Sequence, residues 1–172
     1  MDKLKKYLIL IIAMSISAGL FAQRGLFGLA YGISIAEADS ILATHGFFAE
    51  GSEENAVKYY SEINDLVEAI MIFVEPGSQR AAGWFVKYNS INGEDNDHLV
   101  IDRISNMHGE TNHFDEDTQQ LIWFLSTTRT LHVMYAPDGS LTALYYDSVF
   151  PELFIMHDAE SPAPSPEPET EP

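Results

Sequence analysis

Two histidines stand among carboxylates, in the runs Glu94-Asp-Asn-Asp-His98 and His113-Phe-Asp-Glu-Asp117. Imidazole and carboxylate together can ligate a divalent cation, and a metal at His98 and His113 would make a small hydrolase. The spacing fits no calcium loop, because the central Gly and the terminal Glu of that loop are missing. Solvated acidic loops are the preferred reading, here and at Glu53 and Glu54. The chain has no Cys, which excludes a thiol nucleophile, a thiolate metal site, a disulfide and a lipid-anchored cysteine. There is no Gly-x-Ser-x-Gly elbow and no His-Glu-x-x-His. Gly25, Gly28 and Gly32 lack the Lys-Ser/Thr of a phosphate loop. The expectation is therefore no catalytic residue, no metal and no cofactor.

Two further histidines, His45 and His108, each close a helical pattern. A cation in the last helical turn suits the helix dipole, which explains both without function. These two helices carry the main architectural signal. Ile-x-x-x-His-Gly occurs at 41–46 and again at 104–109, an offset of 63 residues. In the first copy Ser34 and Glu37 form a capping box, Ile35, Ala38, Ile41 and Leu42 share one face, and Gly46 supplies the stop. In the second, Asp97 is the expected N-cap, Ile101, Ile104 and Met107 follow, and Gly109 stops the helix.

The same order of elements follows each helix. An acidic loop comes first, then β-rich segments at 57–63 and 66–74 against 121–126 and 130–135. Tight turns follow at 75–78 and 137–140, then last strands at 82–88 and 141–146. The pattern predicts an α+β fold of two pseudo-repeats, about 26–90 and 96–148. Each is one helix followed by three antiparallel strands, and together they form one sheet with both helices on one face. Leu26–Gly32 would add a short strand or packed arm.

The ends of the chain read differently. Lys3, Lys5 and Lys6 precede an apolar run from Tyr7 to Leu20, and Ala22 offers cleavage before Gln23. Residues 1–22 thus have the layout of a secretory signal peptide, and a single domain over 23–157 would be exported to the periplasm or the extracellular space. Attachment to a membrane would come only through this segment, uncleaved. The last residues, 158–172, are rich in Pro and Glu without large apolar residues, and are expected to be a disordered tail.

The whole chain carries a net charge of −17. Removing 1–22 takes away three Lys and one Asp and leaves −19. Such a surface repels nucleic acid and anionic lipid. The preferred reading of the charge is solubility, and the alternative is that carboxylates steer the approach of a basic partner.

Strand alternation assigns faces. Trp84, Val86 and Tyr88 share one face, with Phe85 and Lys87 on the other; Leu121, Trp123 and Leu125 share a face; His132 and Met134 oppose Leu131 and Val133. If the face of Trp84, Tyr88, Trp123 and Tyr145, joined by Tyr59, lies away from the helices, those five form an aromatic partner-binding patch.

The run GISIAEADSIL, Gly32–Leu42, resembles the opening helix of small bacterial envelope proteins of the BamE (SmpA/OmlA) type. The doubled layout over about 26–148 is similar to the β-lactamase inhibitor proteins, whose two repeats form one curved sheet that grips a partner enzyme. The resemblance implies a non-catalytic exported protein that works by contact with another envelope or extracellular protein. A metal-dependent hydrolase and a carrier that holds an apolar small ligand on the curved sheet are the alternatives.

Overall fold

The structure, a computed structural model, describes residues 24–53, 55–90, 93–110 and 113–155, with 94 and 95 as backbone only. The expected leader with its Ala22–Gln23 cleavage and the expected tail lie outside these residues. Helix α1 (Ile35–Thr44) begins as the sequence predicts: the Glu37 N–H donates to Ser34 Oγ at 3.2 Å. Ala38 and Leu42, one turn apart, are fully buried. Gly46, at φ 80°, ends the helix in the left-handed conformation. Helix α2 (Gly93–His108) starts five residues earlier than expected from an N-cap at Asp97. Asp97 is therefore inside the helix, where its Oδ2 accepts from the Tyr135 hydroxyl at 3.0 Å. Gly109, at φ 85°, ends it.

Each helix is followed by four strands, one more than the three expected. They are β1 (Phe48–Glu53), β2 (Ala56–Tyr60), β3 (Val67–Val74) and β4 (Ala81–Tyr88) in the first half. The second half holds β5 (His113–Asp115), β6 (Gln120–Phe124), β7 (Arg129–Tyr135) and β8 (Leu141–Asp147). All eight form one antiparallel sheet in the order β1-β2-β3-β4-β8-β7-β6-β5. The extra pair, β1 and β5, are the two segments read as acidic loops. They are edge strands, exposed along most of their length, so no apolar alternation marks them in sequence.

The order runs identically inward from both edges, and the last strands of the halves, β4 and β8, meet at the centre. The hairpins before them use corresponding glycines. Gly77 and Gly139 both have φ 82°, each closing a turn that the sequence signals.

One face of the sheet carries the main core. Ala38 and Leu42 from α1 and Val100 and Ile104 from α2 pack on Ile70, Trp84, Val86, Trp123, Leu131 and Tyr145. The arm before α1 joins them through Leu29, 1% exposed. It forms a short 3-10 turn at Leu26–Gly28 rather than a strand. Opposite, a second 3-10 turn, Pro151–Phe154, lays Leu153 on Ala56, Phe73 and Ala82. That turn covers only part of its face.

Candidate functional site

The five aromatics read as a partner-binding patch lie on the roofed face, not the open one. Tyr59, Trp84, Tyr88, Trp123 and Tyr145 are all at most 4% exposed. Alternation groups them correctly, but the helices cover them. Three have their polar tips tied to the roof, which is how a buried Tyr or Trp is usually satisfied. The Tyr59 hydroxyl donates to Asp39 Oδ1 in α1 at 2.5 Å. Trp123 Nε1 donates to the Gly109 carbonyl at 2.8 Å. Tyr145 Oη lies 3.2 Å from His108 Nε2. Burial raises the phenol pKa of Tyr59, Tyr88 and Tyr145, which keeps them neutral.

The open face is built from the opposite phase of the same strands. Cross-strand partners place one continuous row across the sheet: His113, Ile122, His132, Leu144, Phe85, Met71 and Lys58. Its centre, Leu144–Phe85–Met71, is apolar and half-buried. The 3-10 turn stands beside it. Phe154 packs on Phe73 and Tyr146, with ring centroids 4.7 and 4.8 Å apart. Between Phe154 and β6–β7 lies a hollow of about 260 Å3 walled by His132, Met134, Leu144 and Tyr146.

His132 is the one titratable group in this hollow whose protonation burial resists; the apolar surroundings lower its pKa. Both ring nitrogens are engaged, Nε2 with Thr130 Oγ1 at 2.8 Å and Nδ1 with Gln120 Oε1 at 3.0 Å. An imidazole so held is a fixed polar edge rather than a base aimed at a substrate. Charge lies at the rims. Lys87 bridges Glu68 and Asp138 at 3.1 and 2.9 Å, and Lys58 pairs with Glu53. Hydrogen bonds from Ser140 and then from Lys87 hold the Asp138 carboxyl well below the usual carboxylate range.

The sequence did mark this face, weakly. Lys87, Thr130 and His132 all fall in the phase opposite the five aromatics, and polar residues in a strand point to the wetter side.

The remaining candidates are scattered. His98 is exposed on α2, and His113 is exposed on the edge strand β5. His45 caps α1 and stacks on Phe27, with centroids 4.3 Å apart. Among the described residues no three His, Asp or Glu side chains converge on a metal position, nor is any helix long and apolar enough to cross a membrane. No family model, no curated protein and no solved structure matches this chain.

Proposed function

We propose that this is an exported, non-catalytic binding protein of the bacterial cell envelope, which engages another envelope or extracellular protein through its open sheet face. We also read its two halves as copies of one unit of a helix and four strands. The single observation that carries the reading is the row Leu144–Phe85–Met71 with Phe154 beside it. It is an apolar strip only partly buried at the centre of a sheet whose other face carries the main core. Apolar surface of that kind gains most from a partner, while charged rims set its approach and orientation. The leader-like N-terminus supports export, and the layout resembles the β-lactamase inhibitor proteins in joining two such units into one sheet.

Site-specific photocrosslinking in the native envelope tests the reading. A crosslinker at Ile122 or Met71 should give one discrete adduct, and one at Ser40, on the exposed side of α1, should give none. Equal labelling at all three positions, or at none, would discard the open face as the interface. Export is checked separately by the mass of the mature chain, expected to begin at Gln23.

A further inference from the structure

The roofed side of the molecule contains a second feature of a different kind. Between α2, the Leu26–Gly28 turn and the loop at 63–66 lies a cavity of about 470 Å3. Its α2 wall is Asn96, Leu99, Val100 and Arg103, the i, i+3, i+4, i+7 set of one helical face. A narrow apolar void adjoins it, sharing Leu26, Leu66, Val100 and Arg103, and reaches inward to Tyr88 and Ile104.

Two polar groups along this path lack partners. Among the described residues there are six Arg and Lys side chains. Lys58, Lys87 and Arg129 pair with carboxylates, Arg80 donates to the Gly32 carbonyl at 2.6 Å, and Arg24 is also engaged. Arg103 makes no hydrogen bond or ion pair among the described residues. The chain has 26 acidic residues against 9 basic ones, so carboxylates are in surplus, and the lone guanidinium is set by position rather than by shortage. Tyr88 is 4% exposed, and its hydroxyl has no hydrogen-bond partner among the described residues.

We propose that this cavity binds a small apolar monocarboxylate. Its carboxylate sits on Arg103 and Tyr88, and its apolar body lies against Leu26, Phe27 and Leu99. The guanidinium fork presents donors only and the phenol O–H can add another, which favours an acceptor-only anion over an amine. The overall negative charge of the chain disfavours ligands bearing a second anionic group. The volume falls within the range of small-molecule sites, about 300–1,000 Å3.

The test is calorimetric titration of the full chain with decanoate and with its neutral analogue decanamide, alongside melting temperatures. Decanoate should bind and raise the melting temperature, and decanamide should bind at least about tenfold more weakly, since hydrogen bonds to a charged group are the stronger ones. Arg103→Gln should remove most of that preference for the acid, Arg103→Lys should keep part of it, and Tyr88→Phe should weaken decanoate alone. Arg103 is exposed on its helix, so its variants should melt near the wild-type temperature without ligand. No binding of either probe, equal affinity for acid and amide, or an unchanged preference in Arg103→Gln would each overturn the proposal.

Discussion

Trp84 and Tyr145 stack across the seam between the two halves: they are Cα partners in the β4–β8 pair, with ring centroids 4.4 Å apart and planes inclined by 21°. The register row through them runs Trp123, Leu131, Tyr145, Trp84, Ile72 and Val57. It therefore spans six strands beneath both helices. Tyr31 adds a third ring, 4.8 Å from Trp84. The seam thus combines an aromatic stack with four aligned residue pairs along β4–β8.

Trp84→Ala should therefore lose about 3–5 kcal/mol of unfolding free energy, the usual range for a large buried aromatic. Tyr145→Ala should behave similarly, and the double variant should lose less than the sum, because the two rings contact each other. Urea denaturation of all three proteins measures this. Strict additivity, or a loss under about 1 kcal/mol for Trp84→Ala, would mean that the seam does not hold the halves together.

How much of this was legible beforehand follows from which signals are local. Ser34, Glu37, Gly46 and Gly109 specify helix ends through backbone hydrogen bonds and φ, so the helices are readable, as are the Gly77 and Gly139 turns. The start of α2 is less so, because Asp97, a favourable N-cap residue, stands inside the helix instead. Edge strands escape altogether: Phe48–Glu53 pairs on one side and is exposed throughout, leaving no apolar period. Alternation correctly separates Trp84, Val86 and Tyr88 from Phe85 and Lys87. It cannot say which set a distant helix will cover, and so the open face and its row were only weakly marked. The weight of polar residues in the second set was the available clue.

An ion pair with a buried carboxylate and a half-buried guanidinium joins the ends of β7 and β8. Asp147 is 3% exposed, and its Oδ2 accepts from Arg129 Nε at 2.8 Å. The Arg129 guanidinium also lies 4.3 Å over the Tyr31 ring, and Oδ1 of Asp147 accepts from the Val149 N–H. Removing one partner strands the other's charge. Arg129→Met is expected to cost about 3–5 kcal/mol, and Arg129→Met with Asp147→Leu substantially less. Thermal and urea unfolding of the single and double variants check this; a double variant worse than the single would show that the pair itself is net stabilising.

His132 gives the fold a pH dependence of predictable sign. Burial lowers its pKa below the ordinary 6.5, so the unfolded chain binds the proton more readily than the folded one. Its contribution is fully present above about pH 6.5 and is lost as pH falls through that value toward the folded pKa. In His132→Gln, the decline in unfolding free energy between pH 7.5 and 5.5 should flatten relative to wild type. An identical slope in both proteins would remove His132 as its source.

Gly83 lies where the open face meets the backbone of the seam. A Cβ there would collide with the Tyr145 carbonyl oxygen and stand 2.8 Å from the Phe154 ring, whereas one at Gly51, on the edge strand, would meet nothing within 4 Å. The carbonyl is backbone in a central strand and cannot retreat without breaking the β4–β8 pairing; Phe154 belongs to the single covering turn and can. Gly83→Ala should thus destabilise by about 1–3 kcal/mol through overpacking, while Gly51→Ala should stay within about 0.5 kcal/mol. If the turn yields first, Gly83→Ala should also loosen residues 151–154, seen as faster amide exchange at Leu153. Equal stability of the two alanine variants would mean that the seam backbone has room the packing denies it.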